Sequence, residues 1–382
     1  MPKNGTLEGW KCVSDGRFRM SNPFTPTFGI VPPYLAGREV FLLEMQRALQ
    51  DGPGNPNLST LLIGPRGSGK TALLSCVAEE ALQSGWIVAR TVAADGMLED
   101  ILQSALKNAA SFLQQRTKKK VKSVSVGQVL GIEWALEPAP ATNWRTRITA
   151  LLDELKQHDI GLLITVDEVR ADLPEMIQLA SVYQLLLTEG AKISLIMAGL
   201  PAQVSDLLED KQVSFLRRCS RHYLGSISDT EISVAFEKTI AASGKSISGE
   251  ALKIATKTAG GYAYMMQLTG FYIWEEAATQ SIISKKDAER GIIRAGDAFR
   301  SGVLLSTVRE LSKGDVAFLR AMLPDKDYSI LPDIAARLKK SSNYISTYKR
   351  RLLMAGVIEE GAGKTLSISM PMLREYLEQQ NA

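Results

Sequence analysis

The sequence predicts an α/β protein built on a parallel sheet, followed by a small helical segment and a C-terminal module of three helices and a hairpin. Three observations carry this. Short aliphatic, β-branched runs alternate with amphipathic stretches between Thr60 and Ala198. A glycine-rich octapeptide, Gly64-Pro65-Arg66-Gly67-Ser68-Gly69-Lys70-Thr71, stands where the first run passes into the first amphipathic stretch. Beyond Leu224 the apolar period becomes helical, and the last helix before a Gly-rich turn is strongly basic.

At 382 residues the chain is too long for one ordinary core, so two or three domains are expected. Its 45% apolar and 23% charged residues are those of a folded globular protein. A net charge of +4 is small for this length, so any nucleic-acid contact must show itself as a local cluster. Three scattered cysteines, Cys12, Cys76 and Cys219, argue against a disulfide framework and for a reducing compartment. With only His158 and His222 besides them, a structural zinc site is not expected. The first residues mix Lys3, Glu8, Lys11, Asp15 and Arg17 without an apolar core, and no run approaches the ~20 residues of a membrane span. The expectation is a cytoplasmic protein without a membrane partner.

Residues 1–36, with Pro23, Pro26, Pro32 and Pro33, read as an extended arm. Thr60 to Ile63, Trp86 to Val92, Gly161 to Val166 and Ile193 to Ala198 carry the signature of buried strands. Lys70 to Gln83, Trp144 to Gln157 and Pro174 to Glu189 carry that of helices. Strands that alternate with helices form parallel sheets covered on both faces. A segment at 116–140 interrupts the order with a basic run, Lys118 to Lys122, and an alternating stretch around Gly127 and Gly131 that suggests a β-hairpin. The basic run is either a contact for DNA or a partner, or a solvated loop. After a strand at His222 to Leu224, Ser228 with Glu231 and Ser284 with Asp287 read as capping boxes, and Ser248 as a further helix start. The expected domains are 37–226 for the sheet, 227–300 for a helical lid and 301–382 for the last module.

The octapeptide fits G-x-x-x-x-G-K-[ST] at every fixed position, after a strand and before a helix. In that setting Gly64 to Thr71 is a P-loop, whose backbone N–H groups and helix N-terminus cradle the phosphates of ATP. Lys70 is expected to reach the β- and γ-phosphates, and the Thr71 hydroxyl to ligate magnesium. The run Leu162 to Val166 ends in Asp167-Glu168, which a parallel strand delivers to the carboxyl edge of the sheet. There Asp167 can hold magnesium through water and Glu168 can polarise an attacking water. Arg217, Arg218 and Arg221 flank the last strand and form either an arginine finger for a neighbouring subunit's nucleotide or surface ion pairs.

In the C-terminal module, a helix capped by Ser312-Lys313-Gly314-Asp315 and running to about Leu323, and helices over Ile330 to Leu338 and Asn343 to Ala355, precede a strand that begins at Gly356-Val357-Ile358, a Gly361 to Lys364 turn and a strand at Thr365 to Ser369. This is the winged helix-turn-helix order. Ile345, Tyr348, Leu352 and Leu353 take core spacing, leaving Asn343, Tyr344, Ser346, Thr347, Lys349, Arg350 and Arg351 on the other face. With Lys339 and Lys340 they form a basic patch free of acids, suited to the phosphates and base edges of duplex DNA. Winged helices also dock proteins, and Glu359 and Glu360 beside the hairpin oppose a DNA backbone.

With these residues in place the chain resembles AAA+ ATPases of the group that includes the archaeal origin-recognition initiators and their bacterial ORC-like and STAND-like relatives. Leu35-Ala36-Gly37-Arg38-Glu39 looks like the G-R-E box of that group, which places Gly37 and Arg38 at the adenine pocket. The resemblance implies sheet order 5-1-4-3-2, ATP between the sheet domain and the lid, and self-assembly with Arg217 or Arg218 facing the next nucleotide. Two positions depart from the pattern. Met197-Ala198-Gly199-Leu200-Pro201 lacks a polar sensor-1 residue, and Gly260 to Gln267 lacks the sensor-2 arginine. The expectation is a slowly hydrolysing ATPase, acting as a switch that couples nucleotide state to DNA binding or assembly. The alternative is a STAND-like signalling ATPase with a protein partner and no DNA.

Overall fold

A computed structural model describes residues 21–27, 30–116 and 143–380. The basic run and the hairpin expected within 116–140 lie outside the described residues, save Arg116 itself. Helix α1 (Glu39–Asp51) buries Phe41, Leu42, Met45, Ala48 and Leu49. There follow β1 (Ser59–Ile63), α2 (Lys70–Gln83), β2 (Trp86–Val92), α3 (Met97–Arg116), α4 (Trp144–Gln157), β3 (Gly161–Asp167), α5 (Pro174–Thr188), β4 (Ile193–Gly199), α6 (Pro201–Glu209) and β5 (Ser220–Tyr223).

The five strands pair in parallel in the order β2-β3-β4-β1-β5, which is the order implied by the resemblance, read from the other edge. The two middle strands explain themselves. All seven residues of β4 are buried, as are the first six of β3, which is what continuous apolar runs allow when both faces of a parallel sheet are covered. The edge strand explains the one shift in register from expectation. The last strand, expected over His222 to Leu224, begins at Ser220 and ends at Tyr223. Its burial alternates because it has a single neighbour, so its polar residues hid its start. Leu224 still donates its N–H to the Ile63 carbonyl at 2.7 Å.

The described chain gathers into two compact units. One is Val40–Gly225 with Ile330–Ser367, and holds the five-stranded sheet. Its core joins Leu61, Ile87, Leu162, Ile164 and Leu195 of the strands to Ile101, Leu151, Leu179 and Val204 of the helices. This unit also contains the helices Leu331–Leu338 and Ser342–Ala355.

The other unit comprises the described residues up to Glu39, Ser226–Ser329 and the residues from Ile368. Its helices are α7 (Asp229–Ala242), α8 (Gly249–Ala259), α9 (Ala263–Glu276), α10 (Lys285–Phe299), α11 (Leu305–Glu310) and α12 (Lys313–Met322), with β6 (Ser246–Ile247) pairing parallel to β7 (Ile282–Ile283). A π-turn, Arg300–Leu304, carries α10 into α11. The expected capping boxes, Ser228 with Glu231 and Ser284 with Asp287, are made, and the helix cap expected at Ser312 to Asp315 is a capping box as well. The described part of the N-terminal segment has no helix or strand of its own and is pinned to this unit. Phe24 is 1% exposed within its core, Asn22 donates to the Phe271 carbonyl, and the Thr25 N–H donates to Gln267.

The chain continues through α13 (Leu331–Leu338), α14 (Ser342–Ala355), β8 (Ile358–Glu360), β9 (Leu366–Ile368) and α15 (Leu373–Gln379), with β8 and β9 paired. No helix of the described residues is long and apolar enough to cross a membrane. Cys76 and Cys219 are free thiols, and burial pushes the Cys219 thiol up to about 11 against the opposing pull of Arg221.

Candidate functional site

The P-loop sits between β1 and α2, where the motif requires it. Gly69 caps α2 in the left-handed region at φ 93°, a conformation that only glycine adopts without strain. The loop is packed tightly onto the sheet. The Gly64 N–H donates to the Gly199 carbonyl at 3.3 Å, and a side chain at Gly64 would meet Ser68 Oγ at 2.7 Å and Leu224 Cβ at 3.0 Å. Ser68 is buried, and its hydroxyl has no hydrogen-bond partner among the described residues. A buried hydroxyl left unmatched calls for an explanation, and here it lies inside the glycine-rich loop that carries the G-x-x-x-x-G-K-[ST] pattern.

Lys70 Nζ turns back onto the loop and donates to the carbonyls of Gly64 and Pro65, both at 2.8 Å. Burial, helped by the nearby charge of Arg66, lowers its pKa to about 8 against the opposing pull of Asp167 and Glu168. Thr71 Oγ1 donates to Asp167 Oδ2 at 2.6 Å, and Asp167 Oδ1 accepts the Glu168 N–H at 2.9 Å. The sheet thus brings Lys70, Thr71, Asp167 and Glu168 together, across 96 residues between Thr71 and Asp167. Glu168 stands at φ 54°, an uncommon conformation for a non-glycine residue. Its exposed side chain leaves the β3 edge free of the sheet.

The residues fit a magnesium ion bound with a nucleotide. Thr71 and Asp167 present adjacent hard oxygens, and magnesium in such sites takes one or two protein oxygens together with phosphates and water. No group of three or more His, Cys, Asp or Glu side chains poised for a metal occurs among the described residues.

The end of β4 is apolar throughout. A Cβ at Gly199 would meet Val204 Cγ2 at 3.0 Å and Val169 Cβ at 3.1 Å, a tight fit against apolar atoms. The Ala198 carbonyl is taken by the Val169 N–H at 2.9 Å. Arg217 and Arg218 lie on a 3-10 turn before β5. Arg217 Nε is engaged by the Leu208 carbonyl at 2.8 Å and Arg221 by the Arg217 carbonyl at 3.0 Å, whereas the exposed Arg218 has no partner among the described residues.

Gly37 and Arg38 belong to the helical unit. A side chain at Gly37, φ 65°, would meet the Glu231 carboxylate at 3.0 to 3.1 Å, so the glutamate that caps α7 also walls the G-R-E turn. Burial lowers the Arg38 pKa, against the favourable charges of Glu231 and Glu39. Hydrogen bonds from Ser228 hold the Glu231 carboxyl below its usual range.

The structure divides the basic face expected of α14. Asn343, Ser346, Thr347, Arg350 and Arg351 are exposed and recur at helical spacing, forming one continuous stripe. Lys339 and Lys340 are exposed at the end of α13, where Lys339 is the left-handed C-cap. Lys349 stands apart, 16% exposed and paired with Glu360 of β8 at 2.6 Å. Tyr344 and Tyr348 stack on each other with ring centres 4.4 Å apart, bracketed by Lys340 and Arg351 at 5.5 Å. Sequence spacing missed one arrangement altogether. Gly356, the C-cap of α14, lies on Pro65 of the P-loop, and α14 packs on α6. Nothing local to either segment signals a contact between residues so far apart in the chain.

A parallel sheet of this order with a P-loop after β1 is the P-loop fold of AAA+ ATPases. Solved structures agree. The Walker-type ATPase PABY2304 of Pyrococcus abyssi superposes with a TM-score of 0.65 at 15% identity, over 90% of this chain and 96% of that one. The Aeropyrum pernix ORC2 protein, in ADPNP-ADP complexes, superposes with a TM-score of 0.58 at 16% identity, over 93% of this chain and 95% of its own. At such identity the likeness is one of fold. A family described as "Domain of unknown function (DUF8462)" matches residues 301–377. No curated protein matches the chain in sequence.

Proposed function

We propose that the chain is an ATP-binding, magnesium-dependent switch ATPase that couples its nucleotide state to duplex DNA binding or assembly through a C-terminal winged helix. The observation that carries the nucleotide half is the 2.6 Å bond between Thr71 and Asp167, which joins the P-loop to the end of β3. Backbone N–H groups of the loop and the N-terminus of α2 receive the phosphates, and Lys70 swings from the Gly64 and Pro65 carbonyls to the β- and γ-oxygens. Thr71 and Asp167 hold the magnesium, which neutralises charge on the phosphates when bound. Glu168 takes the proton of a water that attacks the γ-phosphorus, the new P–O bond replacing the bond to the β-phosphate oxygen. The apolar end of β4 offers no polar side chain to position that water, which supports slow turnover. Arg218, exposed and without a partner among the described residues, is better suited than Arg217 to reach a neighbouring subunit's nucleotide. The DNA half rests on the exposed stripe from Asn343 to Arg351. Free thiols support residence in the reducing cytoplasm.

The test of the nucleotide half is calorimetric binding of ATP with and without magnesium to the parent and to Thr71→Ala. The parent is expected to gain affinity from the metal and the variant to lose that gain. Parent affinity that ignores magnesium would overturn the metal assignment. A second reading, a STAND-like signalling ATPase without DNA, is favoured by the seating of α14 on α6 and the P-loop. It predicts ADP retained through purification and no gel shift with duplex DNA.

A further inference from the structure

The contact between α14 and the P-loop has a geometry that nucleotide must disturb. Gly356 ends α14 in the left-handed region at φ 68°, its N–H donating to the Leu352 and Leu353 carbonyls. A side chain there would come within 2.0 Å of Pro65 Cβ and 2.9 Å of Pro65 Cα, so the backbone of the cap lies flat against the proline. Helix α14 is held on α6 as well, and all three segments belong to the same compact unit.

Pro65 is also restrained through its carbonyl, which accepts Lys70 Nζ at 2.8 Å and the Ser68 N–H at 3.4 Å. The ammonium that a P-loop offers to phosphate is therefore spent here on the residue that carries α14. A phosphate that recruits Lys70 removes the stronger of these two restraints, because a charge-assisted hydrogen bond outweighs a long neutral one. Occupancy then favours one placement of Pro65 and vacancy another, the differential interaction that a ligand needs to shift a conformational equilibrium.

We propose that the Gly356–Pro65 contact transmits phosphate occupancy of the P-loop to α14, with bound nucleotide loosening the C-terminal turn of the helix. This rests on the reading of Gly64 to Thr71 as a nucleotide site. Since coupling is reciprocal, whatever forces α14 off Pro65 strengthens nucleotide binding by the same factor. The basic stripe, carried on the same helix, would thereby change its placement with the nucleotide state.

The full chain tests this with ADP as the probe. Gly356→Ala drives a methyl group into Pro65. Gly190→Ala is its control, because Gly190 also has positive φ, 74°, but has no atom within 4 Å of an added methyl group. The expected result is ADP affinity at least about fivefold higher in Gly356→Ala than in Gly190→Ala, the lower end of ordinary allosteric coupling. Equal affinities in two folded variants overturn the proposal. Hydrogen exchange of the unmodified protein decides the matter without any variant. Saturating ADP is expected to speed exchange at Leu353 to Gly356, and unchanged or slower exchange there overturns the proposal. Failure of the unmodified protein to bind ADP is a separate outcome, which overturns the nucleotide reading itself.

Discussion

The lowered pKa of Lys70 makes nucleotide affinity depend on pH in a window where an ordinary lysine is silent. Free of ligand, Lys70 is buried in the loop and titrates at about 8 rather than 10.5. Bound phosphate needs the charged form and holds it, so binding takes up a proton wherever the free lysine has lost one. A site at about 8 is about nine-tenths protonated at pH ~7 and about one-tenth at pH ~9, so affinity falls about tenfold, or ~1.4 kcal/mol, across that interval. Phosphate ionisation does not interfere, because second pKa values lie near ~6. Calorimetry of ADP binding in two buffers of different ionisation enthalpy measures the proton directly, with uptake rising from near zero to near one as pH rises through the window. Lys70→Arg stays charged throughout and is expected to bind with a flat profile. Flat affinity between these pH values in the parent would refute the assignment of the buried lysine to the phosphates. The same shift has the opposite sign for folding. Without nucleotide the folded state binds fewer protons than the unfolded chain between about 8 and 10.5, so this lysine's cost to stability shrinks as pH rises through that range.

Further outcomes follow from other contacts. Glu168→Gln is expected to keep ATP affinity while phosphate release falls by at least about a hundredfold, the scale of a lost general base, and turnover equal to the parent would remove Glu168 from that role. Replacing Arg350 and Arg351 together by Ala should lower the salt slope of DNA binding by about two phosphate contacts. Lys349→Ala should instead leave that slope nearly unchanged, because its ammonium is held by Glu360; gel shifts across a salt series separate the two. Ser228→Ala removes the hydroxyl that caps α7 and is expected to cost about 1 kcal/mol, read as a lower urea midpoint; an unchanged midpoint would contradict the capping box.

Much of this molecule was legible in local sequence. The sheet strands announced themselves through runs such as Leu162 to Val166, because parallel strands buried on both faces are nearly continuous in apolar residues, Thr165 being the one polar residue of this run. Helix starts at Ser228, Ser248 and Ser284 were legible because a cap is a local bond between a hydroxyl and a backbone N–H three residues on. The P-loop was legible for a similar reason, since its glycines and Lys70 answer to a turn and a helix N-terminus adjacent in the chain. The edge strand at Ser220 was misplaced because half of its residues face solvent and carry no hydrophobic signal.

What folding alone decided are the partnerships between distant residues. The sequence offered Thr71 and Asp167 as separate candidates, and the parallel crossover of the sheet set their oxygens 2.6 Å apart. It offered seven polar residues on α14 as equals, yet the strand β8 drew Lys349 away to Glu360 and left the stripe from Asn343 to Arg351 exposed. Above all, only the tertiary structure laid Gly356 on Pro65. Local chemistry determines which residues can cap, turn or enter a strand, but packing chooses which surfaces meet, and here it joined the phosphate loop to the basic helix.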